Sequence, residues 1–352
     1  MVQMPALPSA AWIRSVDATY SLFESRECRE KYGALAQQVQ KAVQLCEEVI
    51  QEFGIDQCAL SFNGGKDCNV LIHILAAVLR RLGQTPQSTS SSTKLEDILP
   101  PIPSLYISCS SPFQEVEDFV SDSICRYNMK IVRLEGDMKQ GLERYLDGQG
   151  KEMKAVENGT TLKRKRNVKA IFIGTRRTDP HCGEWKIVDV EEERERWTLL
   201  IMEGYPFLLL KQCPKKANLK TRNPTDEGWP DVERVQPILD WSYQDVWLFL
   251  RCPIFAIPEE IISKSPEGVR WGEPYGIPYC VLYDQGYTSL GSTFNTFPNP
   301  MLDTRKGDDN SPPSQHYSKM KDHFQPAYML KDESLERAGR MSQQKSTKGS
   351  TE

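Results

Sequence analysis

The chain has 352 residues, room for one large domain or two small ones. Hydrophobic residues make up 39% and charged residues 26%, the ordinary mix of a globular protein with a packed core. A net charge of −4 argues against general binding to nucleic acid or to a membrane surface, both of which call for a basic excess.

None of the 10 cysteines forms a Cys-x-x-Cys pair, and no Cys/His cluster has zinc spacing. The first residues hold no apolar run of secretory length, and Asp17, Glu24 and Glu27 are poor for an organellar transit peptide. No stretch approaches the ~20 apolar residues of a membrane span. The expectation is a cytoplasmic protein with reduced thiols, bound neither to nucleic acid nor to a membrane.

Residues 1–28 read as a loosely structured lead-in. Tyr32, Leu35, Ala36, Val39, Val43, Cys46, Ile50 and Phe53 make one apolar stripe, predicting a helix that Gly54 ends. Cys58 to Phe62 is an apolar run of strand length, followed by the turn Asn63-Gly64-Gly65-Lys66-Asp67. Leu71, Ile74, Leu75, Val78, Leu79 and Leu82 then recur at helical spacing. A strand, glycine turn and helix in succession leave backbone N–H groups unpaired at a helix N-terminus, where the dipole favours a phosphate. Gly64 and Gly65 are expected to remove the Cβ atoms that would hold a phosphate off.

The Ser-, Thr- and Pro-rich segment 84–103 reads as a surface loop. The spacing next predicts a strand at Ser104 to Cys109, a helix at Phe113 to Tyr127, a strand at Lys130 to Leu134 and a helix at Asp137 to Leu146. After a linker whose basic run KRKR reads as solvated come a strand at Val168 to Gly174 and another at Val232 to Leu239. A helix begins near Ser242. Alternating strands and helices imply an α/β fold, a mostly parallel sheet with helices on both faces. Ligands of such sheets sit at the C-terminal strand ends, which brings Asn63–Asp67, Ser108–Pro112 and Thr175–Asp179 to one rim. Arg176, Arg177 and Asp179 there suit an anionic substrate, because guanidinium groups grip phosphate in a bidentate way. Asp240 faces the same rim. Trp241 either stacks on a ring or packs, and Tyr283, Asp284 and Tyr287 either line a pocket or stabilise a loop.

The turn resembles the PP-loop of the ATP pyrophosphatases, Ser-x-Gly-Gly-Lys-Asp-Ser, with Cys68 in place of the last serine. With FIGTRRTDP, DEGWPDVERVQPILDWSYQDVWLFL, IPYCVLYDQGYTSLGS and PAYMLKDESLERAGR, the set resembles the eukaryotic FAD synthases, FMN adenylyltransferases of PAPS reductase-like fold. The resemblance implies one adenine nucleotide alpha hydrolase-like domain over 29–340 with a C-terminal loop and helix extension. It implies the last step of FAD biosynthesis, in which ATP and FMN give FAD and pyrophosphate with Mg²⁺ assisting. ATP phosphates would meet Ser61, Asn63, Gly64, Gly65, Lys66, Asp67, Arg176 and Arg177, with Asp67 holding the metal. FMN would meet Arg176, Thr178, Asp179, Asp240 and Trp241. Asn63, Asp67, Asp179, Arg337 and Arg340 would carry catalysis, and Asp67→Ala would abolish turnover while leaving the fold intact.

Segments 183–222 and 253–276 depart from the family pattern and read as inserts, and 341–352 as a disordered tail. The molybdopterin-binding-like domain of animal relatives is not found, so the expectation is the synthase domain alone. Rival readings are a catalytically impaired nucleotide- or flavin-binding protein and another PP-loop enzyme. A PAPS reductase is disfavoured because no cysteine follows Cys280.

Overall fold

The computed structural model describes residues 9–83, 99–153, 165–179, 219–257, 268–271, 276–305 and 323–341. Residues 84–98 of the loop expected over 84–103, the hydrophobic part of the 183–222 segment and the tail beyond Met341 lie outside them. The end of that loop is instead core, with Leu99 buried and Ile102 and Pro103 already in a strand.

A seven-stranded sheet forms the centre, in the order β4-β3-β2-β1-β5-β7-β6. Its strands are β1 (Cys58–Ser61), β2 (Ile102–Ser108), β3 (Met129–Glu135), β4 (Lys151–Met153), β5 (Ala170–Ile173), β6 (Arg222–Pro224) and β7 (Glu233–Val235). β1, β2, β3, β5 and β7 run parallel, and the edge strands β4 and β6 are antiparallel. The expected mostly parallel α/β sheet is therefore present. From β1 the chain steps outward to β2 and β3, then returns to lay β5 on the other side of β1. Strand order reverses between β1 and β5, and open α/β sheets place their ligand crevice at such a switch point.

Six helices are described: α1 (Ala10–Glu24), α2 (Arg26–Phe53), α3 (Lys66–Gly83), α4 (Gln114–Tyr127), α5 (Met138–Leu146) and α6 (Tyr243–Leu250). Alternation along β1 divides the core: Cys58 and Leu60 face the larger cluster with α1 to α4 and α6, and Ala59 faces the smaller one with Leu142 and Tyr145 of α5. Helices thus cover both faces, unequally. α3 is buried on nearly every side, which explains its run Val70-Leu71-Ile72 beside the stripe at spacing three and four. Each such side chain contributes about 1.5–3 kcal/mol on burial.

Three expectations change. Residues 10–24 are no loose lead-in: Ser9 caps α1 by accepting the Trp12 N–H at 3.1 Å, and Trp12, Ile13, Val16, Tyr20 and Leu22 are buried. Both ends of the 253–276 segment belong to the core rather than to an insert. Phe255 is fully buried against His73, and Val269–Trp271 (β8) pairs antiparallel with Pro278–Cys280 (β9). Arg166 of the basic run is not simply solvated, since its guanidinium donates to the Tyr145 carbonyl at 2.7 Å and stacks on that ring. No helix among the described residues is long and apolar enough to cross a membrane.

Candidate active site

The turn after β1 is shaped by its glycines, though not as expected. Gly64 has φ +71°, a region L side chains avoid, and a Cβ there would lie 3.1 Å from Val120 of α4. Its bareness serves helix packing. At Gly65 a Cβ would meet the Asn63 carboxamide oxygen at 2.9 Å. The Gly65 N–H donates to that oxygen at 2.9 Å, and the Lys66 N–H donates to the buried Tyr283 hydroxyl at 2.8 Å. Asn63 is exposed, so an incoming anion can take its place on Gly65; Tyr283 is a fixed part of the turn.

Beneath the turn lies a buried charge cluster. Lys66, 2% exposed, binds Asp67 Oδ2 at 2.9 Å and Glu336 Oε1. Arg176, fully buried, has Nε 2.8 Å from Asp67 Oδ1 and Nη2 2.5 Å from Glu336 Oε2. Its backbone N–H donates to Asp179 Oδ2 at 2.8 Å. The Tyr243 ring lies 5.2 Å from the Lys66 ammonium and 5.9 Å from the Arg176 guanidinium. Three carboxylates thus surround two cations, leaving one negative charge in excess.

The titration of these groups follows. Burial would push Asp67 up, but Arg176 and Lys66 outweigh it and hold the carboxyl below its ordinary value. Burial opposes the charge of Lys66 too, yet Asp67 and Glu336 raise it. Asp179 goes the other way, raised by burial and then by the charge of Asp67. Two carboxyls on one rim are driven apart, a pattern that marks functional sites.

The third strand of the site is the tail segment. Thr288 Oγ1 donates to the Glu336 carbonyl at 2.5 Å, and Asn299 Nδ2 donates to the Leu335 carbonyl at 2.8 Å. The Phe297 N–H donates to the Gly339 carbonyl at 2.9 Å. Arg340 lies over Gly291, where an added Cβ would fall 2.0 Å from Arg340 Nη1. That Nη1 is buried and has no hydrogen-bond partner among the described residues. Burial, and then the charge of Arg337, lower the affinity of the guanidinium for its proton, with Cys109 and Tyr283 close enough to oppose them. A half-buried cation with an unfilled donor, close to the Tyr283 whose hydroxyl holds the turn, is suited to receive an anion.

Asn63, Gly64, Gly65, Lys66, Asp67, Arg176 and Asp179 are therefore drawn together at the turn, and Arg340 and the partly buried Arg337 lie in the tail segment that Glu336 ties to Lys66 and Arg176. Ser61 contributes its carbonyl, which accepts from Cys68 Sγ at 3.3 Å. Arg177 turns outward, its N–H bonded to the Leu239 carbonyl and its guanidinium to the exposed Asp240. Thr178 is exposed at the turn. Trp241 is 3% exposed and packs edge to face on Phe249, so it serves the core and not a flavin ring. Lys66 and Arg176, expected on phosphate, have their charges directed into carboxylates instead. Asp67, expected on the metal, has both oxygens beside cations. Glu336 and Tyr243 were missed. No local signal marked Glu336, which lies 270 residues from Lys66 along the chain.

Residues 57–253 match the phosphoadenosine phosphosulfate reductase domain. The chain belongs to that family. Members similar to it include a probable FAD synthase of Caenorhabditis elegans, 30% identical over 94% of this chain and 46% of that protein. Another is a probable FAD synthase of Schizosaccharomyces pombe, 28% identical over 91% of this chain and 85% of that one. The chain spans about half the length of the nematode relatives it matches. Candida glabrata FMN adenylyltransferase, solved with FAD and inorganic pyrophosphate, shares the fold at a TM-score of 0.58 and 21% identity, covering 96% of this chain and 100% of that one.

Proposed function

We propose that this member of the family transfers AMP from ATP to FMN, giving FAD and pyrophosphate in the cytoplasm. The observation that carries the reading is the half-buried Arg340, its Nη1 unfilled, in the tail segment that lies over Gly291 and close to the Tyr283 that holds the phosphate-type turn. The names of the relatives, spanning nearly all of this chain, agree with it.

An oxygen of the FMN phosphate attacks the α-phosphorus of ATP. One P–O bond forms as the bond to the bridging oxygen of the β-phosphate breaks, and pyrophosphate leaves with that electron pair. No covalent step falls to the protein, so its task is alignment and charge stabilisation. The Gly64 and Gly65 backbone and Asn63 receive the departing phosphates. Arg337 and Arg340 offset the charge that grows on them. Lys66 and Arg176 act one layer below by fixing Asp67 and Asp179. Thr178, Asp179, Arg177 and Asp240 form the rim available to FMN.

The carboxylates fit Mg²⁺ at Asp179 rather than at Asp67. The Asp67 oxygens face two cations. Asp179 is a quarter exposed and carries the raised carboxyl that a divalent cation would relieve. Magnesium bound through such a carboxylate and the triphosphate supplies charge neutralisation when present.

Purified protein incubated with FMN, ATP and Mg²⁺ is expected to form FAD, read by chromatography with fluorescence detection. FMN bound without conversion would make the chain a flavin-binding protein instead.

A further inference from the structure

We infer that Glu336 is a positioning residue: its carboxylate, held between Lys66 and Arg176, sets the register of the tail segment that carries Arg337 and Arg340 over the phosphate turn. This rests on the adenylyl-transfer reading above and adds to it a residue that touches neither substrate.

Charge balance makes the first argument. Lys66 and Arg176 are already matched by Asp67 and Asp179, so two cations and two carboxylates would be neutral without Glu336. A third buried carboxylate brings a desolvation cost that neutrality does not require. Stability alone does not account for it.

The docking of the segment makes the second. Its other ties among the described residues join neutral groups or a lone carboxylate: they include Thr288 to the Glu336 carbonyl, Asn299 to the Leu335 carbonyl, Phe297 to Gly339, Met341 to the Asn295 carbonyl, and the Tyr243 N–H to Glu333 at 2.9 Å. Among the described residues of the segment only Glu336 makes two charged bonds, and both go to residues of the charge cluster, one at the start of α3 and one in the turn after β5. The next residue is Arg337, and Arg340 follows one short turn later against Gly291. A shift at Glu336 therefore moves both arginines relative to the turn. A misplacement of ~1 Å at a reacting centre can cost about 100-fold in rate.

The test is a double-mutant cycle of Glu336→Gln and Arg340→Ala, with Glu336→Asp as the variant that keeps the charge. Glu336→Gln is expected to lower kcat about 100-fold while the KM for ATP changes less than about threefold. Thermal stability should fall less than in Asp67→Ala, because the carboxamide oxygen still accepts one of the two bonds. Glu336→Asp should recover part of the loss. In the Arg340→Ala background Glu336→Gln should cost less than about threefold, since the group it positions is gone. Losses that multiply independently, or a wild-type kcat in Glu336→Gln, would overturn the inference. Should Glu336→Gln fold poorly, the same cycle is run with Glu336→Asp. Affinity for inorganic pyrophosphate, measured by calorimetry on the same proteins, repeats the cycle without turnover. Additive losses there overturn the role of Glu336, and non-additive losses support it. A wild-type protein that makes no FAD would count against adenylyl transfer alone, leaving the pyrophosphate cycle to decide on Glu336.

Discussion

α3 carries two buried polar sites two turns apart, and they are built on opposite terms. At its start, Lys66 enters a cluster of five charged groups with one negative charge in excess. In its middle, His73 is fully buried among Trp12, Tyr127, Phe249 and Phe255, with Nδ1 3.0 Å from the Tyr127 hydroxyl. Burial holds that imidazole neutral, its pKa pushed down to about 3. The first site keeps charge at the crevice and leaves an arginine donor open beside it. The second removes charge and closes over itself. Burial alone does not mark function; buried charge next to an unfilled donor does.

The contrast is tested most severely by deleting one polar group from each site. Asp67→Ala leaves Lys66 and Arg176 with less counter-charge, and removing one partner of a buried ion pair costs about 3–5 kcal/mol. Both FAD formation and thermal stability should collapse, seen by chromatography and calorimetry, which revises the expectation that the fold would be left intact. His73→Phe should cost only about 1 kcal/mol, mainly from the stranded Tyr127 hydroxyl, with kcat unchanged. Comparable losses of stability in the two variants would erase the distinction.

Arg340→Ala separates charge for chemistry from charge for folding. Its kcat should fall about 100- to 1,000-fold, the range for removing a donor from a developing oxyanion, with an unchanged melting temperature. Gly291→Ala is a milder version. The new Cβ meets the end of the flexible Arg340 side chain, and Gly291 has no positive φ, so the guanidinium shifts while the fold holds. A loss of about tenfold in kcat is expected in steady-state kinetics.

The pH response of the His73 site bears on stability alone. Its folded pKa lies below the unfolded value, so the unfolded chain takes up a proton that the folded chain refuses. Stability is fully present above about pH 6.5 and declines as pH falls toward 3. Between pH 6.5 and 5 this amounts to about 2 kcal/mol, measurable by denaturant unfolding. His73→Phe should remove that part of the slope.

What could be read in the chain before folding was the part encoded locally. The strand, turn and helix around Ser61–Asp67 follow from adjacent residues, and so does the capped start of α6 at Ser242, which closes a capping box with Asp245. The N-terminal helix carries only a short stripe, Trp12, Val16 and Tyr20 behind Ser9, too weak to outweigh the irregular lead-in before the fold buries it. The strand expected over Val232 to Leu239 stops at Val235. Pro237 has no N–H to donate, and the chain turns there to present Asp240. The partner of Lys66 was not legible, because Glu336 lies 270 residues away and only the fold brings the two together. Nor could the turn reveal that the bareness of Gly64 answers to Val120 of α4.

The central claim is that the crevice joins the α-phosphate of ATP to FMN and expels the other two phosphates together. Parallel reactions with ATP labelled at the α- and at the γ-phosphate test it directly. The account predicts α-label only in FAD and γ-label only in pyrophosphate, in equal amounts. Release of γ-label as inorganic phosphate, with no label entering the flavin, would contradict it.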